Sequence, residues 1–252
     1  MICNFTNDNN VVIKLTECNK SKQFASRDNH EVIFRKINTY LINNKIIKDN
    51  IIDLGAWIGD NSIPWAKNID AIIYAIDPSP ENIKFINDIC ILNNITNIIC
   101  IEKAISDKNE ILETNDTIDH CSFVYGLNNG KGKLKIESVS LDYLYQTNII
   151  DNIGYIHLDA EGLEYKIILG SNKIIEKFNP IITFEQHLQL DNYSLIIMHL
   201  KEKNYVIFMI DEILPGCRPD CRNFIAFPYN IYNDTLIKNI NIHIGRTILI
   251  LQ

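Results

Sequence analysis

Short apolar runs alternate along residues 50–227 with longer stretches in which apolar residues recur every three or four positions. A short apolar run between polar residues indicates a buried strand, whereas the longer spacing indicates an amphipathic helix. Their alternation predicts an α/β fold, a doubly wound and mostly parallel sheet with helices on both faces. The predicted strands are 50–54, 71–77, 97–102, 153–159, 180–185, 205–210 and 223–227, and the predicted helices are 60–67, 80–92, 162–177 and 193–203.

The residues before this repeat, 1–49, predict an N-terminal appendage that packs on the core domain, 50–229. A strand is expected at 11–15, followed by a polar stretch and an amphipathic helix, because Val32 and Leu41 belong to a series of apolar residues at helical spacing. Three aromatic residues are predicted to lie in the core, namely Phe34, Phe85 and Phe208.

An insertion at 107–146 separates the third and fourth core strands and contains a glycine-rich loop. We expect a strand at 133–140 within it, and insertions of this kind often form substrate pockets. The last residues, 230–252, form a C-terminal extension, in which 240–251 is either an edge strand or a segment packed elsewhere.

The composition is that of an ordinary globular protein, with 46% hydrophobic and 22% charged residues among 252. It excludes a disordered chain, a collagen-like repeat and a disulfide scaffold. The 24 Lys and Arg against 31 Asp and Glu give a net charge of −7, which argues against nucleic acid or an anionic membrane as the main partner. Because polar residues interrupt every apolar run before it reaches the roughly 18 residues of a membrane span, we expect a soluble, cytoplasmic protein.

The seven cysteines do not form a spaced framework, which favours reduced thiols in a reducing compartment. Cys217 and Cys221 are the closest pair in the sequence. A zinc site there needs two further ligands, and the sequence has no second Cys or His pair at zinc-finger spacing. The sequence therefore favours two ordinary thiols over a metal site, and we predict no metal ligands.

The first core strand ends in a turn with two glycines, Gly55 and Gly59, shortly after Asp53. Glycine lets the backbone approach a ligand closely, and in doubly wound sheets this turn lies at the strand ends where ligands bind. The pattern is not the dinucleotide fingerprint, because Trp57 and Asp60 stand where that motif requires glycine. A nicotinamide-dependent dehydrogenase is therefore disfavoured.

The second core strand ends at Asp77, whose carboxylate is placed to accept both hydroxyls of a ribose. The third strand ends near Glu102 and Ala104, which are expected to line the same crevice beside an adenine. Asp53 and Asp77 can each also be read as turn or helix N-terminal carboxylates. Their order at successive strand ends favours a nucleoside cofactor.

Five segments together carry a resemblance to a known family, namely Asp53 to Gly59, Asp77 to Pro80, Ser140 to Asp142, His157 to Glu164, and Phe184 with Glu185. With these segments the sequence resembles the FkbM-type methyltransferases of the class I, S-adenosylmethionine-dependent superfamily, over about residues 50–227. The likeness implies a seven-stranded sheet with one antiparallel strand, S-adenosylmethionine as donor, and O-methylation of a hydroxyl, often on a sugar or natural product. Trp57 departs from the family, which commonly has a small polar residue there.

We accordingly predict a set of cofactor-binding residues at the ends of the first four core strands. They are Asp53, Gly55, Ala56, Trp57, Gly59, Asn61, Asp77, Pro78, Ser79, Glu102, Ala104 and Asp159.

Transfer of a methyl group to an alcohol also requires a base for the hydroxyl proton. His187 is the first candidate, because a histidine at a strand end titrates near neutrality, although a supporting or solvated histidine is an equal alternative. Asp159, Glu161 and Glu185 are the other catalytic candidates. Asp159 is also a possible ligand for the donor's amino group or for a divalent cation.

Other polar residues near these motifs receive weaker assignments. Glu164 is expected to be structural, and His157 to be a buried core residue on the strand before Asp159. Four residues are possible substrate contacts, His120 and Tyr125 in the insertion, and Arg27 and His30 in the N-terminal segment.

The sequence therefore predicts an O-methyltransferase that acts on a small-molecule or glycan acceptor, foremost a sugar or sugar nucleotide. A methyltransferase for an RNA cap or ribose is the second interpretation, which the acidic charge disfavours. A catalytically silent methyltransferase-like interaction module is the alternative from another functional class.

Overall fold

The computed structural model describes residues 2–6, 11–114, 134–189, 193–215 and 217–251. Within them, strands and helices alternate along the core domain as the apolar pattern predicts. The strands are β1 (Ile2–Thr6), β2 (Val12–Thr16), β3 (Asn50–Leu54), β4 (Ile73–Asp77), β5 (Ile98–Glu102), β6 (Ala104–Ile105), β7 (Glu110–Thr114), β8 (Leu134–Val139), β9 (Ile153–Leu158), β10 (Ile181–His187), β11 (Tyr205–Ile210), β12 (Cys221–Pro228) and β13 (Leu249–Ile250). The α-helices are α1 (Asn19–Ser26), α2 (Val32–Asn43), α3 (Ser62–Ala66), α4 (Pro80–Asn93), α5 (Leu141–Gln146), α6 (Glu164–Leu169), α7 (Asn172–Phe178), α8 (Tyr193–Glu202) and α9 (Asp234–Ile244).

The central sheet has eight strands in the order β13-β11-β12-β10-β9-β3-β4-β5. The five strands from β10 to β5 are parallel, and β12 runs antiparallel between β10 and β11. The predicted α/β class is therefore confirmed, and the two-residue strand β13 extends the expected seven strands by an antiparallel edge. The strand order reverses between β3 and β9. From β3 the chain adds β4 and β5 toward one edge of the sheet, and from β9 it adds strands toward the other edge. Doubly wound folds bind ligands at such a switch point.

Successive residues of the strands point to opposite faces of the sheet, and both faces are buried. On β3, Ile51 packs with residues of α2, α3 and α9, whereas Ile52 and Leu54 pack with residues of α5, α6, α7 and α8. Burying each aliphatic side chain contributes about 1.5–3 kcal/mol. These two layers fix the strand ends at which the candidate site lies. The predicted core residues Phe34, Phe85 and Phe208 are all buried.

The N-terminal segment forms a hairpin, β1 and β2, followed by α1. Ile13, Leu15 and Phe24 pack against Phe85 and Ile89 of α4. The segment of α1 was expected to be a polar stretch, and only two of its eight residues are buried. The helix begins after the Cys18 side chain, which accepts a hydrogen bond from the Ser21 N–H. The division of the chain at 49 and 229 stays a prediction.

Three helical segments differ from the predictions. The helix predicted over 162–177 is two helices, α6 and α7, because the chain breaks at Gly170, where a Cβ would lie 2.4 Å from the Ser106 carbonyl oxygen. Neither α5 nor α9 was predicted. The segment 240–251, expected as an edge strand or a packed segment, supplies the end of α9 and then β13. None of the described helices combines the length and the apolar character that crossing a bilayer requires.

The insertion contributes a second, three-stranded sheet in the order β6-β8-β7. Its strand β8 corresponds to the strand predicted at 133–140, and β7 pairs with it in antiparallel fashion. The possible substrate contacts His120 and Tyr125 lie outside the described residues.

Candidate active site

A cavity of about 430 Å³ opens at the carboxyl ends of β3, β4 and β9, at the switch point of the sheet. Its position follows from the topology, because parallel strands end at the same edge and the reversal of strand order leaves a crevice there. Eight of the predicted cofactor-binding and catalytic residues line it, namely Gly55, Trp57, Asp77, Pro78, Ala104, Asp159, Glu161 and Glu185.

The turn after β3 brings its backbone against the end of β9. Gly55 has φ +78°, and a Cβ at this position would lie 1.7 Å from the carbonyl oxygen of Asp159. The N–H groups of Gly55 and Ala56 donate hydrogen bonds to the carbonyl oxygen of Ile76 at 3.0 and 3.1 Å. Only glycine therefore fits between β3 and β9, and the turn is fixed to β4 by backbone hydrogen bonds.

Asp77 connects this turn to the start of α4. Its Oδ2 accepts a hydrogen bond from the Trp57 N–H at 2.9 Å, and its Oδ1 accepts from the Ser79 N–H at 2.8 Å and from Asn82 Nδ2 at 3.1 Å. Trp57 has φ 45°, a conformation that is unusual for a bulky residue. Burial raises the pKa of Asp77 to about 6. The carboxylate thus fixes the shape of the turn while it lines the cavity.

The N-terminal segment supplies another wall of the cavity through Arg27 and His30. The Arg27 guanidinium lies over the Trp57 ring, 5.5 Å from its centroid, and Arg27 Nε donates to Asp60 Oδ2 at 3.1 Å. Arg35 also donates to this oxygen, at 2.7 Å. The structure therefore brings to the cavity the two N-terminal residues that the sequence analysis named as possible substrate contacts.

Seven predicted site residues do not line the cavity. Asp53 is buried beneath the turn, where it accepts a hydrogen bond from the Ser62 hydroxyl, and burial raises its pKa to about 7. Gly59 packs against Ile63 and Ile86. The others are Ala56 in the turn, Asn61 at the start of α3, Ser79 as the cap of α4, the exposed Glu102, and His187.

Three carboxyl groups, of Asp159, Glu161 and Glu185, make the opposite side of the cavity acidic. Burial, and after it the neighbouring Glu185 carboxylate, raises the pKa of Asp159 well above its usual range. Glu161 has φ 51°, so its backbone occupies the left-handed region. Burial also raises the pKa of Glu185 well above its usual range. Two carboxyl groups with raised pKa values at one cavity are typical of sites that transfer protons.

Glu164 shapes the turn that carries these groups. Its carboxylate accepts hydrogen bonds from the Ala160 N–H at 2.8 Å and from the Gly162 N–H at 3.1 Å. Gln186 Nε2 also donates to it, at 3.0 Å. The side chain is 3% exposed, which fits the expected structural role.

Both histidines of the central strands lie away from the cavity lining. His157 is buried, its Nδ1 lies 3.1 Å from Thr183 Oγ1, and burial lowers its pKa to about 4. His187, the first candidate for the base, is also buried and lies beside two cysteines. We call this group the cysteine cluster; its members are Glu185, His187, Cys217 and Cys221.

Within the cysteine cluster the thiols hydrogen-bond to the carboxylate of Glu185. Cys221 Sγ donates to Glu185 Oε1 at 2.7 Å, and Cys217 Sγ lies 3.6 Å from the same oxygen. The hydrogen bond with Cys221 lowers the pKa of Cys217 to about 6, and the same contact raises the pKa of Cys221. Neither cysteine forms a disulfide.

Several lining residues were not predicted. Asn82 lies in the first turn of α4, five residues after Asp77, and this spacing places its side chain within reach of that carboxylate. Lys103 follows the end of β5, between the predicted Glu102 and Ala104. Pro215 and Cys217 come from the segment between β11 and β12, whose path no local pattern in the sequence predicts.

Comparison with known proteins agrees with this fold. The family model for the methyltransferase FkbM domain matches residues 53–207. The structure is similar to that of methyltransferase FkbM from Methylobacillus flagellatus KT, with a TM-score of 0.52 and 17% identity over 71% of this chain and 43% of that one. The present chain thus spans less than half of that protein. A comparison with curated proteins gave no match.

Two further solved structures are similar at lower scores. Precorrin-6y C5,15-methyltransferase from Geobacter metallireducens GS-15 gives a TM-score of 0.45 and 13% identity over 79% of this chain and 87% of that one. M. jannaschii TYW2, solved in complex with AdoMet, gives a TM-score of 0.44 and 12% identity over 89% of this chain and 84% of that one. The family match covers the glycine turn, Asp77 and the acidic wall in one continuous segment. This chain belongs to the methyltransferase FkbM domain family.

Proposed function

We propose that this methyltransferase uses S-adenosylmethionine to methylate a hydroxyl group of a sugar, sugar nucleotide or glycan. The observation that carries the proposal is the arrangement of one cavity between two kinds of wall. Asp77 and the glycine turn form one side, and Asp159 and Glu161 belong to the acidic side. The first side fits a nucleoside, and the second fits a hydroxylated acceptor.

The donor side offers the groups that an adenosine requires. The Asp77 carboxylate has about four lone-pair sites and accepts three N–H hydrogen bonds from the protein, which leaves capacity for a ribose hydroxyl. Ile76, Pro78 and Ile105 supply apolar surface for an adenine. Gly55 lines the cavity without a side chain, so its backbone is open to the methionine part. S-adenosylmethionine supplies an electrophilic methyl group on its sulfonium sulfur.

On the acceptor side, we assign the role of general base to Asp159. Its carboxyl group lines the cavity, whereas His187 lies outside the lining. The Asp159 carboxylate accepts the proton of the acceptor hydroxyl while the oxygen of that hydroxyl becomes methylated. Glu161, one of the other acidic groups on this side, hydrogen-bonds further acceptor hydroxyls. The protein otherwise orients the reactants and excludes water.

The charges of the cavity support a hydroxyl-rich acceptor. Carboxylates accept hydrogen bonds from hydroxyl groups but repel the phosphates of a nucleic-acid backbone. The net charge of −7 acts in the same direction. A neutral glycan or sugar is accordingly favoured over RNA, and a sugar nucleotide fits if its phosphates lie toward Lys103 or Arg27.

Transfer of a labelled methyl group to a panel of glycans, sugar nucleotides and RNA tests the proposal. We expect transfer to a hydroxyl of a sugar-containing acceptor. Asp159→Asn is expected to reduce kcat about 100-fold or more while donor affinity stays close to that of the wild type. Asp151→Asn, exposed at the opposite end of β9, is the matched control and should leave kcat unchanged.

Three outcomes of this experiment contradict the proposal. Methylation of RNA alone would replace the proposed acceptor class. S-adenosylhomocysteine that raises the Tm without any transfer to the panel would favour the silent interaction module. An Asp159→Asn variant with full kcat would remove Asp159 from the role of base.

A further inference from the structure

The cysteine cluster, at the acidic side of the cavity, brings together four side chains that can ligate a metal. Glu185 and His187 are two residues apart on β10, so their side chains point to the same face of the sheet. Cys221 is the direct cross-strand partner of His187 in the β10–β12 pairing. One ligand atom from each member of the cluster lies within 4.8 Å of every other.

We propose that the cysteine cluster binds one Zn²⁺ ion. Two thiolates, an imidazole and a carboxylate form a four-ligand set of the kinds that zinc prefers. Bond lengths of about 2.0–2.3 Å in a tetrahedral site give ligand separations of about 3.3–3.8 Å. The cluster therefore needs a contraction of only about 1 Å at its widest separations to enclose the ion.

The environment of the cluster favours a divalent cation. Cys221 is fully buried and His187 is 9% exposed, so their polar atoms are shielded from water. The two arginines of the adjacent segment are paired elsewhere, Arg218 with Asp220 and Arg222 with Asp211, each at 3.1 Å. Asp159 and Glu161 add negative charge close by. A zinc ion offsets this charge, which buried carboxylates and thiols otherwise tolerate only when protonated.

A zinc ion at this place connects the segment between β11 and β12 to β10. That segment carries Pro215 and Cys217 to the wall of the cavity. The ion thus fixes one wall of the active site, and four protein ligands complete its coordination as in structural zinc sites. The inference concerns metal binding alone and is independent of the acceptor and of the donor.

Metal analysis of the full chain, produced in zinc-supplemented medium, tests the proposal. We expect one zinc per chain, lost in Cys221→Ser and in Cys217→Ser. Cys18→Ser is the matched control, because Cys18 is exposed and caps α1, a position where serine serves equally. This variant should retain the ion.

A second measurement is valid even if the cysteine variants fail to fold. Wild-type protein stripped by a chelator is titrated with Co²⁺, and we expect a thiolate-to-cobalt charge-transfer band with the intense visible bands of a tetrahedral site, reversed by Zn²⁺. Wild-type protein that remains zinc-free and gives no such bands overturns the proposal.

Discussion

The backbone N–H of Trp57 donates a hydrogen bond to Oδ2 of Asp77 at 2.9 Å, which ties the turn after β3 to the end of β4. The two residues are 20 positions apart in the sequence, and both line the cavity. This contact accounts for the left-handed backbone at Trp57, because the strained turn directs its N–H to a buried carboxylate. Asp77 therefore shapes the pocket in addition to its proposed contact with the ribose.

Replacing Asp77 by asparagine should weaken donor binding. An amide has one acceptor oxygen, so the N–H groups of Trp57 and Ser79 cannot both be satisfied. Hydrogen bonds to charged groups contribute about 1.5–3 kcal/mol, and we expect the Kd for S-adenosylhomocysteine to rise about 10- to 100-fold. Calorimetric titration measures this Kd. Asp70→Asn is the control, because Asp70 is exposed and lies before the start of β4, at the end opposite Asp77. An unchanged Kd would remove Asp77 from the donor site.

Gly55→Ala should destabilise the protein far more than Gly245→Ala. Both glycines have positive φ, of +78° and +72°, so alanine is strained at either position. At Gly55 the new Cβ would also meet the Asp159 carbonyl oxygen, whereas at Gly245 nothing lies within 4 Å. Denaturant unfolding should show a loss of about 1–2 kcal/mol for Gly245→Ala and a clearly larger loss for Gly55→Ala. Equal losses would mean that β3 and β9 are further apart than described.

Asp53→Asn should alter how stability depends on pH. Burial raises the pKa of Asp53 from 3.8 to about 7, and the nearby Asp60 and Glu31 carboxylates act in the same direction. Between these pH values the folded protein keeps a proton that the unfolded chain releases, so the free energy of unfolding falls as the pH rises. The variant lacks this contribution and should gain a few kcal/mol relative to the wild type between pH 4 and pH 8, since a tenfold change in proton affinity is worth about 1.4 kcal/mol.

Denaturant titrations of both proteins across this range measure the effect. The exposed Asp88→Asn is the control and should follow the wild-type curve. If the free energy of unfolding of Asp53→Asn also changes with pH in parallel with that of the wild type, the Asp53 carboxyl is ionised in the folded protein throughout this range.

Glu164→Gln should disturb the turn that carries Asp159 and Glu161. The two carboxylate oxygens accept hydrogen bonds from the backbone N–H groups of Ala160 and Gly162, whereas a glutamine amide has only one acceptor oxygen. We expect a lower Tm and a reduced kcat, with donor affinity changed less than kcat. Glu176→Gln, which affects only an exposed pair with Lys203, should change neither quantity. A Glu164→Gln variant with wild-type kcat would show that the turn tolerates the loss.

The sequence was sufficient for the central strands because their signal is local. The strands predicted at 50–54 and 205–210 match β3 and β11 residue for residue, and Gly55 and Asp77, at the ends of β3 and β4, both line the cavity. These predictions depend on apolar runs and on residue types that can be interpreted without knowing their contacts to distant parts of the chain.

Features that depend on packing between distant segments were missed. α6 ends at Gly170, which lies against the Ser106 carbonyl oxygen, a contact across 64 positions that no local pattern encodes. His187 was placed correctly at the end of β10, but its environment is set by Cys221, its partner across the strand pair. The proximity of Glu185 and His187 to the two cysteines could not be read from the sequence for the same reason, since these residues lie on another strand.

A crystal structure of the complex with S-adenosylhomocysteine tests the central claim most directly. The account predicts that the adenosine occupies the cavity, with a ribose hydroxyl within hydrogen-bond distance of the Asp77 carboxylate and the sulfur directed toward Asp159. A ligand bound elsewhere, or a complex in which the Trp57 side chain fills the cavity, would contradict it.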